Sequence, residues 1–227
     1  MGCSSTEADI NIKREKEEKK EVKIFEYGKY VGGLKDNIRE GNGIFYWNNG
    51  DRYEGNYKND KREGKGKYFY NNGNRYEGDF KNDQFNGNGK YYWNNGDRYE
   101  GNYKNDKIEG KGVYYYLNGD KYDGEWKNDV RDGKGVFYWN NGNRYEGEYK
   151  NDTREGKGIL YYKSGNRYEG TFKNGMAEGK GKLFFHTGDR YEGEFKNDKL
   201  HGKGTFYFKD GKKETHQYEE DVLISRD

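Results

Sequence analysis

The sequence predicts an all-β chain, an elongated twisted solenoid of eight stacked β-hairpins of 23 residues each. Three observations lead to this prediction: a tyrosine returns at a constant interval, glycines occupy four fixed places between tyrosines, and aromatic and charged residues alternate. The tyrosines are Tyr30, Tyr53, Tyr76, Tyr99, Tyr122, Tyr145, Tyr168 and Tyr191. A fixed period of this length indicates a repeat array.

Each unit is numbered from its tyrosine, and glycine occupies unit positions 3, 12, 14 and 21 in all eight units. At position 21, pairs such as Asn49-Gly50 predict a tight hairpin turn, because glycine supplies the positive φ that such a turn needs. At positions 12 and 14, glycines such as Gly64 and Gly66 are predicted to leave room for an aromatic ring of a neighbouring unit. So many glycines disfavour a helix, since each costs about 1 kcal/mol relative to alanine.

Two strands are predicted in each unit. In the unit of Tyr53 the first covers residues 52–58, where Tyr53, Gly55 and Tyr57 alternate with polar and charged residues. The second covers residues 65–70 and carries aromatic side chains on both faces. Because an isolated hairpin is marginal in water, stability is predicted to come from stacking. Sixteen strands at about 4.8 Å would form a sheet on the order of 75 Å long.

The composition is compatible with a thin aromatic core. Charged residues make up 37% of the chain, which is typical of disorder, but the net charge is only +2 and 18% of residues are aromatic. The balanced charge disfavours nucleic acid as a partner. No apolar run is long enough for a transmembrane helix, and no secretory signal is recognisable. A single cysteine excludes an internal disulfide and favours a reducing compartment.

The repeated pattern Y-E-G-x-aromatic-K-N-D-x-x-x-G-K-G, followed by aromatics and N-G, resembles the MORN repeat (membrane occupation and recognition nexus) over residues 30–213. His201 matches the family's usual histidine before the glycine pair, where the other units carry Glu, Asp or Asn. The resemblance implies a hairpin solenoid, no catalysis by the repeats, and a scaffold role at membranes or the cytoskeleton. It also implies homodimers formed through terminal repeats.

Four segments are predicted along the chain. Residues 1–21 are polar and charged and are interpreted as a flexible N-terminal arm, and residues 22–29 as an N-terminal edge strand or cap. Residues 30–213 hold the eight repeats. Residues 214–227 form a C-terminal cap or tail, in which Val222, Leu223 and Ile224 would cover the last open edge.

A row of aromatic residues at unit position 17 is the candidate partner-binding surface. One interpretation is a groove for a partner helix or peptide, and the other is a row that packs along the solenoid. The residues are Tyr46, Phe69, Tyr92, Tyr115, Tyr138, Tyr161, Phe184 and Tyr207.

Lysine rows leave two further interpretations open. Lysine stands at position 6 in all units and at position 13 in six, so the repeats could bind anionic headgroups. However, acidic residues at position 2 and basic residues at position 23 indicate a self-neutralising ladder that keeps the sheet soluble.

No catalytic residue, metal site or cofactor is predicted. His186, His201 and His216 lie in different local contexts without a partner at ligand spacing. The repeated G-K-G lacks the remainder of a phosphate-binding loop. We therefore expect a protein that is not an enzyme.

The N-terminal MGCSST suggests a lipid anchor. Gly2 and Thr6 fit the N-myristoylation signal M-G-x-x-x-[ST], and Cys3 is predicted to be palmitoylated because one acyl chain alone binds membranes only marginally. The leading hypothesis is a membrane-tethered scaffold for protein partners, lipid-anchored on the cytosolic face of a plasma, cortical or ciliary membrane. The alternatives are a phosphoinositide or anionic phospholipid-binding module, and an axonemal or cytoskeletal structural protein with no membrane role.

Overall fold

The computed structural model describes residues 20–226. Within that range the regular structure is entirely β, as one open sheet of 19 strands. Every strand pairs antiparallel with the next one along the chain. The predicted all-β array of stacked hairpins is therefore confirmed. Gly2, Cys3 and the arm up to residue 19 lie outside the described residues.

The strands, in chain order, are β1 (Glu21–Phe25), β2 (Gly28–Lys35), β3 (Ile38–Trp47), β4 (Arg52–Lys58), β5 (Lys61–Phe69), β6 (Arg75–Lys81), β7 (Gln84–Tyr92), β8 (Arg98–Lys104), β9 (Lys107–Tyr115), β10 (Lys121–Lys127), β11 (Val130–Tyr138), β12 (Arg144–Lys150), β13 (Thr153–Tyr161), β14 (Arg167–Lys173), β15 (Met176–Phe184), β16 (Arg190–Lys196), β17 (Lys199–Tyr207), β18 (Lys213–Glu219) and β19 (Val222–Arg226).

The tight turn lies elsewhere than the sequence predicted. Strand β4 has the predicted bounds, but β5 begins at Lys61 because Asn59 and Asp60 alone connect the two strands. Both residues have positive φ, 50° and 65°, as a type I′ turn requires. At the predicted Asn49-Gly50 turn, Gly50 has a φ of 95°, and residues 48–51 form a wider connection.

Aspartate rather than glycine ends the tight turn because its carboxylate bonds to the preceding unit. The Asp60 carboxylate accepts the Arg39 backbone N–H at 2.9 Å, while the Asp60 N–H donates to the Arg39 carbonyl. Glu40 accepts the Asn59 N–H at 2.9 Å. The reciprocal Asp pair recurs between Asp83 and Arg62, Asp106 and Phe85, Asp129 and Ile108, Asp152 and Arg131, Asp198 and Ala177, and Asp221 and Leu200. These turn bonds couple neighbouring units at a fixed chain length.

The repeated tyrosine lies on the glycines of its own unit. Tyr53 is 0% exposed, and a Cβ added to either Gly55 or Gly66 would lie 2.4 Å from its hydroxyl oxygen. The hydroxyl donates to the Asn56 carbonyl at 3.0 Å. The prediction that Gly66 leaves room for a neighbouring unit's ring is therefore wrong, because the ring that lies on it belongs to its own unit. Gly64, at position 12, instead has a positive φ of 74°.

Aromatic rings at unit position 5 join consecutive tyrosines into a single stack. The Tyr57 ring meets Tyr53 of its own unit and Tyr30 of the preceding unit, each edge-on with ring centroids 5.2 Å apart. Edge-on contacts of this kind continue from unit to unit as far as Tyr191 and Tyr218. Each such pair contributes about 0.5–1.5 kcal/mol beyond the area it buries. This stack is the core of the array.

The C-terminal end compensates for the loss of one tyrosine. Glu214 stands where the next repeat tyrosine would be, and His216 stands where its glycine would be. The His216 side chain fills the vacated space, 6% exposed, with its ring centroid 5.1 Å from that of Phe206. Its ring nitrogens lie 3.0 Å from the Tyr218 hydroxyl and 3.1 Å from the Glu214 carboxylate. Strand β19, which contains the predicted capping residues, then pairs with β18.

We expect Gly112→Ala to destabilise the protein by about 3 kcal/mol, the upper end for overpacking, because its Cβ would lie 2.1 Å from the Tyr99 hydroxyl. The measurement is the urea midpoint of unfolding. The control is Lys111→Ala, which removes an exposed side chain next to the same glycine. Equal midpoints for the two variants would contradict the packing described here.

We expect the array to lose stability steeply in alkali. Burial raises the pKa of Tyr145 and Tyr191 to about 12, and it also raises the pKa of Tyr53 and Tyr99. Since unfolded tyrosine ionises near pH 10, the contribution of these tyrosines to stability should be constant below that pH and fall above it by about 1.4 kcal/mol per pH unit for each buried tyrosine. Urea midpoints measured across this range test the expectation, and a midpoint unchanged up to about pH 11.5 would contradict it.

Candidate functional site

The sheet face opposite the tyrosine stack forms an open groove along the array. Side chains at unit positions 2, 4, 13 and 15 line it, and the glycines at positions 3 and 14 form its floor. One cleft of about 1620 Å³ extends from Lys111 to Lys203, and a second of about 800 Å³ from Asn42 to Gly101. The floor is backbone, because any side chain at these two positions would point to the tyrosine face.

Ion pairs cover most of this groove face. Glu100 lies 3.0 Å from Arg98 on its own strand and 3.0 Å from Lys90 on the neighbouring strand. The same Arg–Glu pair recurs at Arg52–Glu54, Arg75–Glu77, Arg144–Glu146, Arg167–Glu169 and Arg190–Glu192. These contacts confirm the predicted self-neutralising ladder. Exposed pairs of this kind add only about 0–1 kcal/mol each, so the ladder mainly keeps the face soluble.

The middle of the groove departs from this ladder. At position 15, Lys67, Lys90 and Lys182 pair with a glutamate of the following unit. Units 4 to 6 carry apolar residues at this position instead: Val113, Val136 and Ile159. Sequence reasoning missed this apolar row because it emphasised the residues that recur. The sequence does contain a signal for it: when the units are compared position by position, position 15 changes from lysine to valine or isoleucine in units 4 to 6.

The lysines beside the apolar row form no direct ion pair in the described part of the chain. Lys65, at position 13 of unit 2, pairs with Asp79 at 2.7 Å. The later lysines at this position are exposed and form no ion pair there: Lys111, Lys134, Lys157, Lys180 and Lys203. Glutamates lie opposite three of them on the neighbouring strand, at Lys111, Lys134 and Lys180. Lys157 and Lys203 face the uncharged Thr171 and Gln217 instead.

The position 17 aromatics form a row that alternates with cations. Arg98 at the end of one unit lies 4.1 Å from the ring centroid of Tyr115 in the next, and Lys121 lies 4.2 Å from Tyr138. Corresponding cations stack on Phe69, Tyr92, Tyr161, Phe184 and Tyr207. These seven rings are half-buried, whereas Tyr46, at the start of the row, is 41% exposed. The structure therefore brings the predicted residues together, and their partner-binding role stays a prediction.

The three histidines do not come together. His186 lies at a turn beside Asn166, His201 lies on β17, and His216 lies on β18. Between residues 20 and 226 no group of three or more His, Cys, Asp or Glu side chains could hold a metal ion. In the same range no helix is long and apolar enough to cross a membrane.

Comparison with solved structures finds similar architectures. The TCP10 domain of Danio rerio CPAP has a TM-score of 0.52 at 10% identity, covering 91% of this chain and 99% of that chain. The TCP domain of Drosophila melanogaster SAS-4, solved in complex with a proline-rich motif of Ana2, has a TM-score of 0.46 at 19% identity, covering 70% of this chain and 90% of that chain. At 10% identity, the similarity to the Danio rerio domain concerns the fold alone.

Comparison at the level of sequence identifies the repeats. No curated protein matches the chain. The MORN repeat family matches it eight times in succession, at residues 30–52, 53–75, 76–98, 99–121, 122–144, 145–167, 168–190 and 191–213. Since these matches adjoin without a gap and span most of the chain, the protein belongs to the MORN repeat family.

Proposed function

We propose that this protein is a non-catalytic scaffold that docks protein partners in its groove and is tethered to a membrane through acyl chains on Gly2 and Cys3. The observation that carries the docking role is the groove itself, which continues from unit to unit across the tyrosine-backed sheet. A cleft of about 1620 Å³ exceeds the usual size of a small-molecule pocket, about 300–1,000 Å³. An elongated protein segment suits it better.

The apolar row sets the spacing that a partner would match. Val113, Val136 and Ile159 occur once per hairpin, so they recur every two strands, about 9.6 Å. A partner helix with an apolar residue at every seventh position repeats every 10.5 Å or so, close to this spacing. Lys157, which lies beside Ile159 and faces no carboxylate on the neighbouring strand, would pair with an acidic residue that flanks the partner's apolar positions.

The position 17 row is proposed as the rim of the docking surface. Its rings present edges to solvent while cations cover their faces, as Arg98 covers Tyr115. Tyrosine and arginine are enriched among the residues that contribute most to protein interfaces. Tyr46, Phe69, Tyr92, Tyr115, Tyr138, Tyr161, Phe184 and Tyr207 would then contact the partner along its length.

The tether is proposed from the N-terminal sequence. Gly2 and Thr6 fit the myristoylation signal, and Cys3 offers the second acyl site that stable anchoring requires. Two chains would hold the arm to the cytosolic leaflet of a plasma, cortical or ciliary membrane. A homodimer through the terminal repeats, which the family resemblance implies, would use the open edges of β1 and β19.

A second candidate function is direct binding of anionic phospholipids by the repeats. Two exposed groove lysines that face no carboxylate on the neighbouring strand, Lys157 and Lys203, favour it. A phosphoinositide headgroup would interact with such a lysine. A third candidate, a cytoskeletal structural role without a membrane, predicts that the arm does not determine where the protein is found.

The test is membrane fractionation of native, Gly2→Ala and Cys3→Ala chains in cells fed clickable myristate and palmitate. We expect the native chain to take both labels and to pellet with membranes. The Cys3→Ala chain should keep the myristate label and be partly released from the membranes, because a single acyl chain binds a membrane reversibly. Gly2→Ala should lose both labels and become soluble.

The contradicting outcomes separate the candidates. Membrane pelleting without either label would contradict the tether and favour lipid binding by the repeats. A Gly2→Ala chain that stays with a detergent-insoluble cytoskeleton would favour the structural role. In both cases the groove would still be available for protein partners, so these outcomes concern the tether and not the docking role.

A further inference from the structure

The N-terminal end of the groove face carries an apolar patch that the other units lack. Nine large apolar side chains are exposed in the described chain, and five of them lie within the first three strands and their turns. Three of those five, Val22, Ile24 and Tyr46, point to the groove face and are 60%, 71% and 41% exposed. With Val31 and Ile44 they form what is called here the N-terminal patch.

The strand register makes this patch continuous. Val22 on β1 lies opposite Val31 on β2, and Val31 lies opposite Ile44 on β3. In the adjacent row, Lys29 of β2 lies opposite both Ile24 and Tyr46. Because facing residues on neighbouring antiparallel strands are in contact range, the apolar side chains adjoin across three strands.

The patch exists because the charge ladder is interrupted there. Val31 stands at unit position 2, where the other seven units carry Glu or Asp. The arginine stacks cover the aromatic row from Phe69 onward and leave Tyr46 at its exposed start. The Arg–Glu pairs likewise begin only at Arg52–Glu54. An exposed apolar group that replaces an otherwise regular polar covering marks a contact surface.

We propose that the N-terminal patch rests on the interface of an anionic bilayer. This inference deepens the proposed membrane role by naming the surface of the fold that faces the lipid. Lys20 directly precedes β1, so an anchor on the arm would hold this end of the array nearest the membrane. The bilayer contact would then orient the array, with its C-terminal units projecting away.

The chemistry of the patch fits a lipid interface. Lys29 and Lys20 are exposed beside the apolar side chains, so their amines can reach anionic headgroups while Ile24 and Val22 enter the acyl boundary. Tyr46 has the amphipathic ring that favours the membrane–water interface. A combination of apolar, tyrosine and lysine side chains on one surface is typical of interfacial binding.

The opposite end of the array provides a matched comparison. Val222 and Ile224 on β19 are 62% and 57% exposed, close to the exposure of Val22 and Ile24 on β1. On β18, however, the polar Glu219 lies opposite Val222, and Ile224 falls at a register shift where no residue of β18 pairs with it. The same substitutions at the two ends therefore differ in whether they disrupt a continuous apolar surface.

The experiment couples the full chain to vesicles through Cys3, its single cysteine, so that it does not depend on acylation in cells. The vesicles contain phosphatidylcholine, phosphatidylserine, a maleimide lipid and a lipid with a photoreactive acyl chain. After illumination, mass spectrometry locates the cross-links along the chain. We expect them to concentrate between Glu21 and Trp47 and to fall severalfold in the variant Val22→Asp/Ile24→Asp. The control variant Val222→Asp/Ile224→Asp should keep the native pattern.

Three results would overturn the inference. Cross-links spread evenly over the units would place no particular surface against the lipid. An unchanged yield in Val22→Asp/Ile24→Asp would show that the patch does not contact it. Sedimentation equilibrium of the uncoupled chain tests for a dimer. A dimer that is lost in Val22→Asp/Ile24→Asp and kept in the control variant would show that a second copy covers the patch. Circular dichroism confirms that each variant is folded, which is expected because the substituted side chains are exposed.

Discussion

The rest of this structure depends on one contact, the packing of each repeat tyrosine over two glycines of its own hairpin. A single sheet has no second layer to cover it, so the buried side chains must cover one another. The Tyr53 ring does this by lying on Gly55 and Gly66, where any side chain would collide with it. That placement aligns the rings so that each position 5 aromatic, such as Tyr57, contacts two tyrosines edge-on. On the opposite face, the backbone at these glycine positions forms the floor of the groove.

The unit length follows from bonds that connect the turns. The type I′ turn Asn59-Asp60 is bonded to the preceding unit through its aspartate carboxylate and through both backbone N–H groups. The turn Asn174-Gly175 lacks the carboxylate but keeps both N–H bonds. At the other sheet edge, Asp51 accepts the Asn71 N–H at 2.8 Å in the same way. Because both edges are fixed, the groove positions recur in strict register. Two places on the groove face therefore differ from the regular charge ladder: the apolar row in the middle and the N-terminal patch at one end.

Much of the fold could be predicted from the sequence because its signals are local and repeated. The period, the first strand at residues 52–58 and the Arg–Glu ladder all follow from residue order. The tight turn was missed because Asn59-Asp60 lacks the glycine that usually marks positive φ, although Asn and Asp tolerate this conformation. The reason for aspartate there is a bond to residue 39, and no short-range pattern contains it. The cations that stack on the position 17 row come from the preceding unit, so only the strand register reveals them.

The most direct test of the central claim is to compare two deletions. Removing residues 99–121 takes out one whole unit and should leave a shorter array with the same strand content per residue, because Tyr76 and Tyr122 would become neighbours with every turn bond and ring contact restored. Removing only Lys107 shifts the following residues of β9 by one position. The side chains that share a face with Tyr114 would then point to the opposite face of the sheet. The account predicts that circular dichroism and urea unfolding show a cooperative fold for the first deletion and a severely destabilised one for the second. Equal stability of the two, or a loss of folding in the first alone, would contradict it.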